Sequence, residues 1–165
     1  MIGGLVQTFP NATKQNIFYL HGALPLFDTG TQVIKEQYDP VEGYLLEKIS
    51  QRIEKEEYPI FVTAGNGDEK LAQIRHNPYL SHCYDALCEV DGSVITLGFG
   101  FGEYDLHILE ALNRAAHYLS KSAPKLWSVY IGVYSDIDKA RVAEIEKVFH
   151  AKVHTFDART APVWQ

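Results

Sequence analysis

Residues 93–119 read SVITLGFGFGEYDLHILEALNRAAHYL and join an apolar run, a glycine-rich turn and an amphipathic pattern. SVITL predicts a strand, and a helix is predicted from about Asp105 because apolar residues recur along one face. That face comprises Leu106, Leu109, Leu112, Ala116 and Leu119. In α/β proteins a strand, a tight glycine turn and a helix N-terminus together receive phosphate-bearing ligands. We therefore expect an α/β fold with its chemistry at residues 98–105.

The glycines of this turn are spaced G-x-G-x-G from Gly98 to Gly102. A dinucleotide fingerprint is spaced G-x-G-x-x-G, with an acidic residue about 20 residues further on to bind a ribose. No acidic residue is obviously placed for that role. The turn alone therefore predicts close approach of a ligand to the backbone without identifying the ligand.

The composition limits the class of protein. A chain of 165 residues with 46% hydrophobic residues predicts one domain, 1–165, of which residues 1–15 form a poorly defined segment. A net charge of −6 without a Lys/Arg stripe argues against binding to nucleic acid or a membrane surface. No apolar run approaches the ~20 residues of a membrane span, so we expect a cytoplasmic protein. Cys83 and Cys88 lack C-x-x-C spacing, and no metal is expected.

The order of elements predicts the architecture. From Gln37 onward helical and extended patterns alternate, which is typical of parallel β-α units. We expect a three-layer, Rossmann-like, mostly parallel sheet with helices on both faces. The predicted strands are PIFVTAG, SVITLG, KLWSVYIGVY and a final edge strand, VHTF. Asp28-Thr29-Gly30 predicts a small β-hairpin over residues 24–36, preceded by a strand ending at His21.

Helix starts and inner faces follow from capping residues and periodicity. Asp39-Pro40 predicts the start of a helix that buries Leu45, Ile49 and Ile53. Asp68 predicts the start of a second, and Asn77-Pro78 that of a third. Ser135 and Asp138 resemble a capping box. The inner face predicted for that last helix comprises Ile137, Ala140, Ile145, Val148 and Phe149.

His21 is the candidate general base. It lies in Tyr19-Leu20-His21-Gly22, at a predicted strand end, and an unperturbed imidazole has a pKa near ~6.5. The alternative is a histidine whose ring hydrogen-bonds to nearby backbone. A second polar group, Glu103, Asp105 and His107, is interpreted as helix capping rather than as a set of metal ligands.

Two segments together resemble a known family. Leu20-His21-Gly22, followed later by a strand, the turn at Gly98 and Asp105 at a helix start, resembles the C-terminal half of the sirtuin-like superfamily. The segment PIFVTAGNGDEKLAQIRHNPYLSHCYDAL fits a reduced bacterial branch of uncharacterised function. The resemblance covers most of the chain. It implies a partial sirtuin-like fold that holds NAD as its cofactor.

The resemblance also implies a reaction. His21 would act as a base toward the ribose attached to nicotinamide, and the N-glycosidic bond of NAD would be cleaved to nicotinamide and an ADP-ribose product. Tyr104, beside the glycine turn, is expected to stack on adenine. The full set of residues expected to contact the nucleotide is Gly22, Gly98, Phe99, Gly100, Phe101, Tyr104 and Asp105.

A second hypothesis is a non-catalytic module that binds a nucleotide or another protein. Sirtuin-like enzymes carry a glycine turn after their first strand. The absence of a counterpart to that turn in this sequence motivates the second hypothesis. A third is that the chain is a fragment of a larger enzyme. In each case an open sheet edge would favour a homodimer, or association with a missing N-terminal half.

Overall fold

The computed structural model describes residues 17–41, 43–116 and 125–162, and these residues form a mixed α/β structure. The strands are β1 Gly22–Asp28, β2 Val33–Lys35, β3 Pro59–Phe61, β4 Gly92–Thr96, β5 Leu126–Val133 and β6 Lys152–Asp157. The helices are α1 Leu45–Glu54, α2 Gly67–His76, α3 Pro78–Cys88, α4 Leu106–Ala116 and α5 Asp136–Glu146. The α/β class predicted from the sequence is confirmed.

The chain divides into two compact units. The first is formed by the chain up to Ala64 together with Ala72–Cys83, and the second by Gly65–Leu71 together with the chain from Tyr84 onward. Each unit has a three-stranded sheet, antiparallel in the first and parallel in the second. None of the helices in the described ranges is long and apolar enough to cross a membrane.

The first unit contains the predicted hairpin. β1 pairs antiparallel with β2, and the connecting turn is held by Gly30 N–H, which donates to Asp28 Oδ1 at 2.8 Å. The prediction over residues 24–36 is therefore confirmed. The segment PIFVTAG was predicted to form a strand of the parallel sheet. Its strand, β3, instead pairs antiparallel with β1. The hairpin reverses the chain direction before α1, so the strand that follows α1 runs opposite to β1.

The helix start expected at Asp39-Pro40 is wrong. Asp39 Oδ1 accepts from Val41 N–H at 2.7 Å and so holds a local turn, while α1 begins at Leu45. Tyr44 N–H donates to Glu47 Oε2 at 3.3 Å at that start. The apolar residues most deeply buried in this unit are Leu26, Phe27, Ile49, Ile74, Leu80 and Cys83. Burial raises the pKa of the Cys83 thiol, which suits a core residue rather than a nucleophile.

The second unit is built on the order β4-β5-β6. Because spatial order follows chain order, right-handed crossovers place α4 and α5 on the same face of the sheet. Both helices contribute to one core with β5, including Leu112, Val142 and Val129. Ile95, which alternates with the inward residues of β4, is exposed. In the described part of this unit α4 and α5 thus lie on one face of the sheet, whereas the prediction places helices on both faces.

The capping box at Ser135 is confirmed: Ser135 Oγ accepts from Asp138 N–H, and α5 begins at Asp136. The predicted inner face is partly wrong, because Ile137, Ala140 and Val148 are exposed. Val142 is the apolar residue buried within the helix, and Phe149 is buried just beyond it. The inner face predicted for α4 is partly wrong as well, because Leu106 is exposed and His107 is buried in its place. Leu119 lies outside the described residues.

Candidate functional site

A cleft of about 610 Å³ lies at the carboxyl ends of the parallel strands in the second unit. Parallel strands end at one edge of their sheet, so segments distant in sequence converge there. One wall follows β4, a second is the end of β5 with α5, and a third follows β6. The lining residues are Leu97, Gly98, Phe99, Gly100, Ile131, Gly132, Tyr134, Asp138, Arg141, Val142, Ala158, Arg159 and Ala161.

The glycine turn after β4 exposes its backbone to the cleft. Gly98 has φ +67°, a conformation that favours glycine, and no atom lies within 4 Å of the position a Cβ would occupy. At Gly100 the nearest atom to that position is Arg141 Nη1, at 3.0 Å. A ligand can therefore approach the main chain at Gly98 and meets a guanidinium at Gly100.

Aromatic side chains fix this turn to the core. Phe101 is 5% exposed, with φ +47°, and its ring centroid lies 5.4 Å from that of Phe149 in an edge-to-face arrangement. Phe99 packs against Phe101 with the centroids 4.7 Å apart and also lines the cleft. Phe101 is therefore an anchor of the turn, while Phe99 offers an apolar surface to a ligand.

Asp138, the one carboxylate among the described residues that line the cleft, is committed to the start of α5. Asp138 Oδ2 accepts from Ser135 Oγ and from Ser135 N–H, each at 2.9 Å, and from Tyr134 N–H at 3.1 Å. The Ser135 side chain contributes most to lowering the pKa of Asp138, with help from these backbone donors and the Arg141 charge. Asp138 thus stays ionised and satisfies the N-terminus of α5.

Arg159 is neutralised by a neighbouring carboxylate. Its Nε donates to Asp157 Oδ1 at 2.8 Å and its Nη2 donates to Asp157 Oδ2 at 2.7 Å, which is a two-point pair. The Arg159 side chain is the main reason that the pKa of Asp157 falls to about 2. The guanidinium also lies 5.9 Å from the ring centroid of Tyr134.

Arg141 differs from Arg159 in having no hydrogen-bond acceptor among the described residues. Among the residues that the structure describes, none accepts a hydrogen bond from its guanidinium or forms an ion pair with it within 4 Å. Its positive charge helps to lower the pKa of Asp138, which lies three residues earlier on α5. The cleft therefore presents an exposed cation whose donors are available to an anion.

A family model matches residues 5–164, and its description is a domain of unknown function, DUF4917. The chain belongs to the DUF4917 family. Comparison with curated proteins and with solved structures finds no match in either set.

In this DUF4917 chain three of the predicted nucleotide contacts, Gly98, Phe99 and Gly100, lie together in the cleft. Phe101 belongs to the core. Tyr104 and Asp105 lie in the short 3₁₀ helix Glu103–Asp105 and do not line the cleft. Tyr104 is 58% exposed, and Asp105 Oδ1 accepts from Lys70 Nζ at 2.8 Å, so Asp105 forms an ion pair.

His21 and Gly22 belong to the first unit of the DUF4917 domain. His21 lies in a turn that precedes β1, so the prediction that it ends a strand is wrong. Its carbonyl accepts from Val62 N–H at 2.9 Å, which holds the backbone of the turn. Gly22 has φ +82°, and a Cβ there would lie 1.9 Å from the carbonyl oxygen of Ile60. Close packing of β1 against β3 is enough to explain this glycine.

Sequence reasoning missed the residues that the cleft takes from α5 and from the end of β6, above all Arg141 and Arg159. Arg141 shares α5 with Lys139 and several acidic residues, and Arg159 stands alone after β6, so neither belongs to a charge stripe. A usable signal was present in the strand order. Once β5 and β6 are read as neighbouring parallel strands, the residues after both strands must lie at the edge occupied by the glycine turn.

Proposed function

We propose that this chain binds a nucleotide of the NAD or ADP-ribose class in the cleft of its second unit. The observation that carries the proposal is the presence of an open glycine turn and an uncommitted arginine in the same cleft. A glycine turn admits a ligand close to the main chain, and a guanidinium matches the geometry of a phosphate. Both features face one volume at the carboxyl edge of a parallel sheet.

The size and lining of the cleft support a ligand larger than phosphate. Pockets for small molecules and cofactors are typically about 300–1,000 Å³ and mostly apolar, with a few polar groups that fix orientation. Leu97, Phe99 and Val142 supply apolar surface here, and Arg141 supplies a polar group. This combination suits a base or ribose together with phosphate.

The reaction proposed for this chain is cleavage of the nicotinamide N-glycosidic bond, with His21 as the base. The imidazole would hold or deprotonate a ribose hydroxyl while oxocarbenium character develops at the anomeric carbon. The support for this step is the Leu20-His21-Gly22 resemblance and the fixed backbone of the turn. A partial sirtuin-like, Rossmann-like fold is part of the same proposal.

The alternative is nucleotide binding without a reaction. One observation favours it: the lining of the described cleft contains no histidine, cysteine or lysine, and its one carboxylate, Asp138, caps α5. A general base needs both reach to the proton and a suitable pKa. The cleft by itself is therefore equipped for recognition more than for proton transfer.

Calorimetric titration with NAD, ADP-ribose and ATP tests the binding proposal, and assay of nicotinamide released from NAD tests the reaction. We expect binding of ADP-ribose and NAD, and release of nicotinamide that His21→Ala abolishes. His76→Ala, at an exposed histidine of α2, is the matched control and should keep activity. Absence of binding by all three nucleotides would overturn the binding proposal. Binding with NAD left intact, or activity that survives His21→Ala, would overturn the catalytic one.

A homodimer is proposed on separate grounds. Within the described residues β4 has one strand neighbour, β5, so its other edge presents backbone groups that a second strand can pair with. The molar mass in solution, measured by light scattering, decides between one and two copies. A mass of one chain, 18.6 kDa, at high concentration would overturn this proposal.

A further inference from the structure

The two arginines of the cleft have unequal freedom to bind a ligand. Arg159 gives two donors to Asp157, so an incoming anion would have to compete with a carboxylate already in place. Arg141 has no acceptor in the part of the chain that the structure describes. An anion that enters the cleft can therefore accept hydrogen bonds from Arg141 without displacing a carboxylate.

The helix that carries Arg141 does not offer a competing anion site. A helix N-terminus normally attracts phosphate through its free N–H groups and its dipole. At the start of α5 the ionised Asp138 already lies at that place, where Ser135 and Tyr134 N–H groups donate to it. A second anion close to Asp138 would be repelled, which again directs a phosphate toward the guanidinium.

We propose that Arg141 is the residue that holds a phosphate group of the ligand, against the backbone of Gly100. This inference rests on the proposed binding of a nucleotide in the cleft, and it names the group that is recognised. Arg141 Nη1 lies 3.0 Å from the position of a Cβ on Gly100, so the missing side chain leaves the guanidinium beside the main chain. The planar fork of donors can then make two parallel hydrogen bonds to phosphate oxygens.

The ligand class follows from this geometry. A nucleoside without phosphate would use the apolar walls of the cleft but would leave Arg141 unmatched. A nucleotide with a diphosphate, such as ADP-ribose, would contact the apolar walls and also bind Arg141. The cleft should therefore discriminate strongly between ADP-ribose and adenosine, and its affinity for ADP-ribose should fall as salt concentration rises.

The test is calorimetric titration of the full chain with ADP-ribose, adenosine and inorganic pyrophosphate. The variants are Arg141→Gln, Arg141→Lys and a control, Arg114→Gln, which removes the same charge from the exposed end of α4. We expect Arg141→Gln to weaken ADP-ribose binding about tenfold or more, the scale of charge-assisted hydrogen bonds, and to change adenosine binding less than about twofold. Arg141→Lys should recover part of the loss, and Arg114→Gln should match the unmodified chain. Unchanged circular dichroism of each variant confirms that the fold is retained.

The outcomes separate this inference from the function on which it rests. If ADP-ribose binds but Arg141→Gln has no effect, or weakens adenosine equally, the phosphate role is overturned and the nucleotide cleft stands. If neither ADP-ribose nor adenosine binds, while pyrophosphate binds and is lost in Arg141→Gln, the phosphate role stands and the nucleotide function is overturned. Absence of binding by all three ligands overturns both.

Discussion

The turn that enters β1 at Gly22 and the turn that leaves β4 at Gly98 look alike in sequence and differ in what surrounds them. Both glycines have positive φ, +82° and +67°. At Gly22 a Cβ would lie 1.9 Å from the Ile60 carbonyl oxygen, whereas at Gly98 it would meet nothing within 4 Å. The first glycine is required by the packing of two strands, and the second leaves backbone open to the cleft.

This difference shows why a glycine in a strand-and-turn context does not by itself mark a ligand site. Positive φ accounts for the choice of glycine in both turns. The space beyond the α-carbon decides between structure and recognition, and that space is set by residues distant in sequence, such as Ile60. Substitutions at Gly22 and Gly100 test whether the two turns divide in this way, and a substitution at Arg159 tests how the cleft uses its arginines.

The largest effect is expected for Gly22→Ala. The new methyl group would overlap the Ile60 carbonyl oxygen and would also force alanine to keep a left-handed φ. Left-handed backbone costs roughly 1–2 kcal/mol and overpacking roughly 1–3 kcal/mol, so the free energy of unfolding should fall by about 3 kcal/mol or more. Urea denaturation followed by circular dichroism measures the change.

Gly30→Ala is the matched control for that measurement. Gly30 lies in the β1–β2 hairpin with φ +80° and has no atom within 4 Å of its Cβ position. Gly30→Ala should lower the free energy of unfolding by about 1–2 kcal/mol, which is the cost of the left-handed backbone alone. Equal losses for Gly22→Ala and Gly30→Ala would show that steric contact with Ile60 contributes nothing, and the structural interpretation of Gly22 would be wrong.

A smaller effect, on binding rather than stability, is expected for Gly100→Ala. Its methyl group would enter the space between the turn and Arg141 Nη1, where a flexible guanidinium can move aside. The free energy of unfolding should therefore change by less than about 0.5 kcal/mol, the usual range for surface substitutions. ADP-ribose affinity should fall about tenfold, since displacement of the guanidinium removes charge-assisted hydrogen bonds.

Gly102→Ala provides the comparison for Gly100. Gly102 belongs to the same turn, has φ −65°, meets no atom at its Cβ position and does not line the cleft. Its substitution should leave calorimetric ADP-ribose affinity within about twofold of the unmodified chain, as expected for a surface change. A tenfold loss of ADP-ribose affinity in Gly102→Ala would indicate that any added methyl group disturbs the turn. The specific role assigned to Gly100 would then be wrong.

Much of the fold was accessible from the sequence because local signals agreed. The hairpin at residues 24–36 and the capping box at Ser135 were correct, and each depends on residues within a few positions of one another. The partner of β3 was not predictable in that way. A three-residue strand carries almost no pattern, and its antiparallel pairing with β1 follows from the chain reversal at the hairpin.

The site divides along the same line. Gly98, Phe99 and Gly100 line the cleft, and the sequence pointed to them because a glycine turn after a strand is a local signal. Arg141 and Arg159 line the same cleft but were missed, because their place there depends on the order of the strands. The burial of Phe101 was not predictable for a related reason: alternation along GFGFG does not reveal that its side chain turns into the core.

The smallest effect on ADP-ribose affinity is expected for Arg159→Gln, in the wall of the cleft that follows β6. Because the Arg159 side chain lowers the pKa of Asp157 to about 2, their ion pair is fully formed above the ordinary carboxyl pKa and is lost only as the pH falls through about 2. Arg159 thus remains engaged at neutral pH, and Arg159→Gln should weaken ADP-ribose binding less than about threefold, against about tenfold or more for Arg141→Gln. An NMR titration of the Asp157 carboxyl should show its midpoint rise toward 3.8 in Arg159→Gln. Equal losses of affinity in the two arginine variants, or a midpoint unmoved by Arg159→Gln, would contradict the division of roles between a paired and an available guanidinium.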